Sequence, residues 1–427
     1  MRVRKCSASV RMIMAITSLA LVSDLFADGT IRDGVGARSI GRGGTNIAHH
    51  DNAHVMLDNP AGLVGFEGDS MIEIGGHLLM TDLSYSDPDN PRTGDIDNPF
   101  PIGEVAFAKR LSDDVMVGLG MFSQAGFAAE YILNGQGALA GPQHMKSIGA
   151  MARVLPTLSI NLTDRLSFGA TVGASISHVE FEGPYTLQGP NALAGTGLRV
   201  DAQGTGIAPH WSLGFQYDLS DATTIGVSYL EEADMELDGT TTAAIPGVGT
   251  ARYDSQIDIV WPRMMGVGIA HQTPANRTFS FDAIWMDWSN AYRQIDLQLT
   301  NPNDPTFQIV APTLNESIPM NWRDSVSLRF GVEQQLANCN VLRLGYIYHR
   351  NPIPAETLTP FIQTTIEHAL SVGYGWNWRG LEMDFAYQWM FGPDVTVGTS
   401  DLTGGDYDNA ISTASAHQFS LSFRRRR

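Results

Sequence analysis

Residues 210–219 read HWSLGFQYDL, and an apolar side chain occupies every second position of this stretch. Trp211, Leu213, Phe215, Tyr217 and Leu219 alternate there with small or polar residues. Because successive side chains of a β-strand point to opposite faces, the pattern predicts a strand with one face in an apolar medium. The same alternation returns in residues 369–378 and 381–389. Repeated along a long chain, such strands indicate an all-β protein, a transmembrane β-barrel.

The first 27 residues have the pattern of a secretory signal peptide. Basic residues at positions 2, 4, 5 and 11 surround the start of an apolar stretch, residues 12–22, that is too short to span a bilayer. Residues 25–27 (LFA) then end on a small side chain, so we expect residues 1–27 to be removed. Removing these four basic residues and Asp24 changes the net charge from −18 to −21. A chain this acidic is not expected to bind nucleic acid.

The composition excludes several other classes of protein. Only Cys339 follows the predicted signal peptide, so a disulfide-rich scaffold is excluded. The mean hydropathy of −0.08 suits a soluble protein and a barrel equally well, because only alternate barrel residues face lipid. The chain lacks the sequence motifs of serine hydrolases, zinc peptidases and phosphate or dinucleotide sites. We therefore predict no enzymatic activity and no cofactor.

Connections between the strand-like segments alternate in length. From about residue 69 onward, we count fourteen strand-like segments. Six short and seven long connections join them, and short and long connections follow each other in turn. The short connections are rich in turn formers and lie at residues 111–115, 162–166, 219–223, 272–276, 336–341 and 378–381. The long connections lie at about residues 81–100, 126–146, 182–204, 239–253, 299–319, 351–365 and 393–412. Tight periplasmic turns and long extracellular loops of an outer-membrane barrel would alternate in this manner, which predicts a fourteen-stranded antiparallel barrel.

Residues 28–68 differ from the remainder, because they are rich in glycine and show no sustained alternation. Such a segment could be a periplasmic tail or a plug inside the barrel. A fourteen-stranded lumen is wide enough either to need filling or to conduct water. We therefore predict a signal peptide over 1–27, an N-terminal hatch in the lumen over 28–68, and the barrel over 69–427.

Two clusters of polar residues resemble metal sites. His49, His50, Asp51 and His54 form the densest group of possible ligands, and the acidic residues at positions 87, 89, 95 and 97 loosely resemble a calcium loop. Polar side chains in a wet hatch and solvated loop carboxylates explain both groups more simply. We predict no metal site.

The third strand-like segment and the connection after it suggest a route for apolar ligands. Gly118 and Gly120 interrupt the strand, and glycine inside a strand allows a kink or a bulge. Large apolar side chains follow at Phe122, Phe127 and Tyr131. Together with Met145, these three are the candidate contacts for an apolar ligand, although ordinary loop packing would explain them as well.

Several sequence segments closely resemble the FadL/TodX family of outer-membrane transporters for long-chain fatty acids and other hydrophobic compounds. The segments that carry the resemblance are residues 37–44, 58–63, 154–160, 288–289, 321–325, 342–346 and 351–354. They occur in order over essentially the whole mature chain. The three histidines before residue 59 and the four arginines that follow Phe423 depart from what we expect of the family.

The resemblance implies a monomeric barrel in the outer membrane, in contact with its lipids, that imports hydrophobic molecules passively. Ligand would be captured by the loops, and rearrangement of the hatch would release it sideways into the membrane at a kink in strand three. By position, Asn59, Pro60 and Ala61 would form the hatch turn that takes part in gating, and Gly118 and Gly120 would lie in the kink. The alternatives are a general hydrophilic porin and a structural or adhesive surface barrel.

Overall fold

The computed structural model describes residues 29–96, 99–337 and 339–427. The predicted signal peptide lies outside these residues. The strands, in chain order, are β1 (Ser70–Asp87), β2 (Asn90–Gly94), β3 (Phe100–Ser112), β4 (Val115–Gly135), β5 (Gly141–Thr163), β6 (Leu166–Thr186), β7 (Gly197–Ser220), β8 (Thr223–Leu230), β9 (Ala233–Ile245), β10 (Gly249–Trp261), β11 (Met264–Thr273), β12 (Arg277–Met286), β13 (Gln294–Thr300), β14 (Thr313–Pro319), β15 (Ser325–Gln335), β16 (Val341–Tyr348), β17 (His368–Trp378), β18 (Leu381–Phe391), β19 (Val395–Thr396) and β20 (Ile411–Arg426). The α-helices are α1 (Ala37–Gly41), α2 (Val55–Asp58), α3 (Trp288–Ala291) and α4 (Pro305–Val310), and short 3₁₀ helices cover Pro60–Leu63, Gly137–Leu139 and Ala355–Thr357.

The strands form one closed antiparallel barrel. Neighbouring strands pair in sequence order, and β1 closes the ring by pairing with β20 from Met71–Arg426 to Ser86–Ile411. Four barrel strands are each interrupted once, so that β8 with β9, β10 with β11, β12 with β13, and β14 with β15 are halves of single strands. β2 and β19 are short strands in the connections. The barrel therefore has fourteen strands, which confirms the prediction.

The apolar face of the barrel strands points outward. On β7, Trp211 and Phe215 are exposed, whereas His210, Ser212 and Gln216, which point to the opposite face, are buried. An outward apolar face matches the lipid environment, because only a closed barrel leaves no unpaired strand edge in a membrane. None of the helices in the described residues is long and apolar enough to cross a membrane.

The six short connections are tight turns at one end of the barrel, as predicted, but several long loops are shorter than expected. β4 continues to Gly135 and β5 begins at Gly141, so most of the predicted loop 126–146 is strand. Likewise, only three residues separate β9 from β10, where a loop over 239–253 was predicted. Outside the bilayer, strands can still pair with each other, but their outer face no longer has to be apolar. These strand ends therefore carry fewer outward apolar residues. The alternation that marks a membrane strand is therefore weak there.

Residues 29–69 lie inside the barrel near the end that carries the short turns. Their core is apolar, and Ala37, Ile40, Val55 and Leu63 are fully buried. Asn59 ends α2 in an extended conformation, since the residue before a proline avoids the helical region. Pro60 then begins the 3₁₀ helix Pro60–Leu63 at a position where its missing N–H costs nothing. We call residues 29–69 the hatch.

Candidate transport pathway

The side chain of Asn59 attaches the hatch turn to the barrel wall. Its Oδ1 accepts a hydrogen bond from the Ala61 N–H (3.2 Å), and its Nδ2 donates to the carbonyl oxygens of Ile47 (2.8 Å) and Phe215 (3.1 Å). On β5, which is separated from β7 by one strand, Ser159 Oγ donates to the carbonyl of Ala61 (3.1 Å). Buried polar groups of the turn are thus satisfied by the wall as well as by the hatch itself.

Glycines on the inward face of the barrel allow the hatch turn to lie directly on the wall. A Cβ added to Gly169 on β6 would lie 2.2 Å from the Pro60 carbonyl carbon, and one added to Gly214 on β7 would lie 1.9 Å from Asn59 Oδ1. Any larger residue would push the turn away. Gly214, one of the small residues that alternate with the apolar ones in residues 210–219, therefore has a specific role, which is to admit the hatch.

Ion pairs hold the opposite side of the hatch. Asp384 on β18 lies 3.2 Å from Arg38 of the hatch, 2.7 Å from Arg343 on β16 and 3.2 Å from Arg424 on β20. Arg424 also donates to the backbone carbonyl of Asp51. Three of the four arginines after Phe423 thus belong to β20, and Arg424 is one of the largest fully buried side chains.

A cluster of possible metal ligands is already used by arginine. Ligand atoms of His49, Asp51 and Glu333 lie within 4.8 Å of one another. However, Arg42 Nη1 lies 2.9 Å from Asp51 and 3.4 Å from Glu333. Burial, together with the charge of Arg42, lowers the pKa of His49 to about 3, so the imidazole is neutral. The carboxylates serve as ion-pair partners, and His54 of the predicted cluster points elsewhere.

His54 connects the hatch to β1 and β3. Its Nε2 lies 2.9 Å from Glu104 Oε1, and its Nδ1 lies 3.8 Å from Glu73 Oε1. The same Glu104 oxygen lies 3.0 Å from Nε2 of His77. Burial alone would lower the pKa of His54, but the carboxylates of Glu104 and Glu73 outweigh burial and raise it to about 9. His54 is therefore a cation at neutral pH, and its ring packs 5.5 Å from that of Phe122.

Strand β4 contains a bulge that changes which residues face the lumen. The register with β5 shifts between Ser123 and Ala125, which leaves Gln124 as an extra residue. Toward the short turns, even-numbered residues such as Phe122 are buried, whereas beyond the bulge odd-numbered residues such as Phe127 and Tyr131 are buried. One strand therefore presents aromatic side chains of both parities to the lumen.

The kink predicted at Gly118 and Gly120 stays a prediction, and neither glycine is the site of a register shift. The ladder is continuous through both glycines, and the irregularity lies three residues after Gly120. The glycines instead make room for side chains. A Cβ at Gly118 would lie 2.4 Å from Met56 Sδ of the hatch, and one at Gly120 would lie 2.3 Å from the ring of Phe122.

A gap separates β3 from β4 on the far side of the bulge. The β3–β4 ladder ends at the pair Glu104–Phe122. Among the residues that the structure describes, the next backbone contact with β4 is the hydrogen bond from Ile96 N–H to the carbonyl of Glu130 (2.8 Å). Between these two points, Ser123 Oγ lies 3.4 Å from the carbonyl of Gly103.

The first residues of the hatch pair with β4 at the gap. Ile31 and Ala125 form an antiparallel bridge. Arg32 N–H donates to the carbonyl of Gln124 (2.9 Å), and Gly126 N–H donates to the carbonyl of Thr30 (3.0 Å). The start of the hatch thus satisfies backbone groups that β3 leaves without a strand partner.

An apolar cavity of about 340 Å³, the inner pocket, adjoins the gap. Both strands that border the gap contribute to its lining, through Ile102 of β3 and through Ala125 and Phe127 of β4. Arg32 and Asp33 of the hatch bring one charge of each sign. A hydrophobic molecule in this pocket would lie beside the place where the barrel wall is not closed by a strand pair.

A second apolar cavity, of about 120 Å³, lies at the end of the barrel that carries the long connections. We call it the outer pocket. Its apolar lining is Phe181, Leu187, Leu198, Val200, Ala202, Ile257, Ile295, Leu297, Leu299, Ile318, Met320, Phe361, Ile362, Leu402 and Tyr407.

Three phenylalanine rings lie between the two pockets. The rings of Phe127 and Phe181 are 6.0 Å apart, as are those of Phe181 and Phe361. Phe127 lines the inner pocket, Phe181 lines the outer pocket, and Phe361 lines both. We call these three residues the aromatic partition.

The four candidate ligand contacts do not form one group. Phe127 lines the inner pocket, and Met145 lies beside Phe361, since both are 3.2 Å from a Cβ placed on Gly183. Tyr131 is buried and donates a hydrogen bond to Gln363 Oε1 (2.6 Å). Phe122 is fully buried against His54 on the hatch side of the bulge.

Other residues of the pathway carried no signal in the sequence. Phe181 and Phe361 lie in segments predicted as strand edge or loop, and 180 residues separate them along the chain. The alternation did contain one usable signal, because Phe122 and Phe127 differ in parity and both can face the lumen only across a bulge.

The comparisons with known proteins agree with this architecture. The sequence model of the family described as outer membrane protein transport protein (OMPP1/FadL/TodX) matches residues 20–426. A search of the curated proteins found no match.

Solved transporter structures share the fold. The Ralstonia pickettii toluene transporter TbuX is 21% identical, with a TM-score of 0.72 over 92% of this chain and 98% of that one. The Pseudomonas putida toluene transporter TodX is 17% identical, with a TM-score of 0.75 over 93% and 100% of the two chains. A FadL homologue of Pseudomonas aeruginosa is 17% identical, with a TM-score of 0.73 over 93% and 99%.

Proposed function

The chain belongs to the FadL/TodX family of outer-membrane transport proteins, and on that premise we propose that it imports long-chain fatty acids or aromatic hydrocarbons by lateral release between β3 and β4. The observation that carries the proposal is the gap beyond Glu104–Phe122 and the inner pocket that adjoins it. Lateral release suits such cargo, because an apolar molecule that passes directly into lipid avoids a cost of about 0.8 kcal/mol for each methylene exposed to water.

The proposed route has three steps. The extracellular loops capture the ligand, and the exposed apolar residues Ile309 and Val310 of α4 support this step. The ligand then occupies the outer pocket and passes the aromatic partition into the inner pocket. Movement of residues 29–32 away from β4 finally uncovers the gap, and the turn at Asn59, Pro60 and Ala61 keeps the remainder of the hatch on the wall.

In this proposal Phe127, Tyr131 and Met145 contact the ligand or support the residues that do. Phe122 contributes through the hatch, because it packs on His54 at the last pair before the gap. The transporter acts as a monomer surrounded by outer-membrane lipids, without a cofactor. Light scattering of the purified protein in detergent should give the mass of one chain, and a larger mass would contradict the monomer.

A reversible cross-link over the gap tests lateral release. Cysteines at Gly103 on β3 and Ser123 on β4, which lie at the gap and on the border of the inner pocket, would join the two edges of the gap in a Cys339→Ser background. We expect oxidation to lower the uptake of labelled toluene by about ten-fold or more, and reduction to restore it. The measurement is the initial rate in whole cells at equal surface expression.

The matched control places cysteines at Phe107 and Leu119, a lipid-facing pair within the intact ladder. Its oxidation should leave uptake unchanged. Undiminished uptake through the cross-linked gap would show that the ligand leaves elsewhere. Swelling of liposomes by sugars would favour a hydrophilic porin instead, and a folded barrel with no uptake at all would favour a surface adhesin.

A further inference from the structure

The outer pocket carries negative charge and no positive charge. Glu182, Glu316 and Asp406 contribute to its lining, and no lysine, arginine or histidine is among the described residues that do so. Glu182 is neutralised locally, because Arg199 Nη2 lies 2.5 Å from its carboxylate. Among the residues that the structure describes, neither Glu316 nor Asp406 has such a partner.

Glu316 is a buried carboxylate held by uncharged donors. Its oxygens accept hydrogen bonds from the backbone N–H groups of Gln188 (2.6 Å) and Gly189 (3.2 Å), from the Tyr185 hydroxyl (3.2 Å) and from Asn191 Nδ2 (2.5 Å). All four groups donate, which matches an ionised carboxylate, since the ionised form accepts only. Within the described residues no cation pairs with it.

Asp406, in the loop above the pocket, is a second carboxylate that is hydrogen-bonded to an uncharged donor. Its Oδ2 accepts a hydrogen bond from Thr186 Oγ1 (2.7 Å). The connection to which it belongs, residues 392–410, contains four aspartates and no lysine or arginine. A ligand that arrives from outside therefore meets a negative field before it reaches the apolar lining.

Resting on the proposed function, we propose that the outer pocket selects uncharged hydrophobic molecules and rejects ionised carboxylates, with Glu316 and Asp406 as the specificity determinants. A carboxylate head group in this apolar cavity would lie near two like charges with no cation to offset them. An uncharged ligand of the same shape gains the full benefit of apolar burial without this repulsion. The selection takes place before the inner pocket, whose lining includes a cation, Arg32, as well as an acid, Asp33.

A pair of ligands that differ only in charge tests this proposal. Methyl laurate and laurate share one alkyl chain, and laurate is ionised at neutral pH. Uptake of each labelled compound is measured in cells that express the full chain, with cells that lack it as background. We expect the ester to enter about ten-fold faster than the acid, whereas Asp406→Asn and Glu316→Gln should each raise the ratio of laurate uptake to ester uptake several-fold.

Glu316→Gln could alter the loop of residues 187–191, to which Glu316 is hydrogen-bonded. Asp406→Asn is the second test variant for this reason. Asp406 is only partly buried, and its side chain accepts a single hydrogen bond from another side chain. Asp394→Asn is the matched control, since Asp394 lies in the same connection but does not line the pocket. It should change neither rate.

Each outcome decides a different question. Equal or faster entry of laurate into wild-type cells would overturn the charge selection and leave hydrophobic transport intact. A ratio of laurate uptake to ester uptake that is unchanged in both pocket variants would overturn the role of these two carboxylates. Entry of neither compound above background would instead contradict the proposed function.

Discussion

His54 is the residue through which pH acts on the hatch. It faces Glu104 of β3 and Glu73 of β1. His77 lies beside Glu104, and Arg424 lies 3.7 Å from Glu73. Asp58 lies at the end of α2, the helix that begins directly after His54. The pKa of His54 in the folded protein, about 9, is above that of a free histidine, about 6.5. The stabilisation from its charge is therefore complete below about pH 6.5 and is lost as the pH rises through about 9.

We predict that the hatch loosens between about pH 7 and 9 and that His54→Gln removes most of this pH dependence. Amide hydrogen exchange of residues 36–58 in the purified protein measures the effect as protection factors, that is, rates corrected for the intrinsic rate at each pH, and we expect lower protection at the higher pH. His50→Gln is the control, because the His50 side chain is exposed in the same segment. A pH response that survives in His54→Gln would assign it to another group.

At the scale of elements, β4 shows what one inserted residue achieves. The bulge at Gln124 exchanges the two faces of the strand, so that Phe122 supports the hatch while Phe127 lines the inner pocket. The two glycines that interrupt the strand, Gly118 and Gly120, suggested a kink four to six residues earlier. The different parity of Phe122 and Phe127 was the one sequence signal for a bulge, but the pairing of Arg32 and Thr30 with the edge that β3 leaves was not predictable from the sequence.

Substitutions of Phe127, the residue of β4 that lines the inner pocket, test the role of this pocket in uptake. We predict that Phe127→Asp lowers toluene uptake by about ten-fold or more, because a carboxylate in an apolar cavity must be solvated at the expense of the ligand. Phe127→Leu, which remains apolar, should retain most of the uptake. Heat-modifiable migration in gels verifies that both variants form the barrel. Normal uptake by Phe127→Asp would remove this residue from the pathway.

The barrel strands were predictable because lipid imposes a strict rule on them. Every membrane-facing position from Trp211 to Leu219 must be apolar, and this requirement is written directly in the sequence. The attachments of the hatch obey no local rule. Arg424 and the carbonyl of Asp51 are 373 residues apart, so neither segment alone indicates that they meet.

At the scale of the whole molecule, the hatch occupies the lumen through contacts on all sides. Asn59 binds the wall at β7, Asp282 on β12 accepts hydrogen bonds from the N–H groups of Asn46 (2.7 Å) and Ile47 (3.0 Å), and Arg38 pairs with β18. The fourteen strands provide the boundary, and the hatch decides what can pass through it.

We predict that deletion of residues 29–62 converts the protein into a water-filled pore. Single-channel conductance in planar bilayers should rise well above that of the full chain, because the remaining lumen is lined by polar side chains such as Gln216, Asp282 and Asp384. The full chain in the same bilayers is the control. Conductance of the deletion variant at the background level would show that the lumen is blocked by something other than the hatch.

The position of Arg424 also sets an order of events during biogenesis. This residue reaches the hatch from β20, the strand that closes the ring against β1. Until β20 has joined its other neighbour, β18, the seat for residues 38–51 is incomplete. The N-terminal segment, although it emerges from synthesis hundreds of residues earlier, can therefore dock fully only after the last strand is in place.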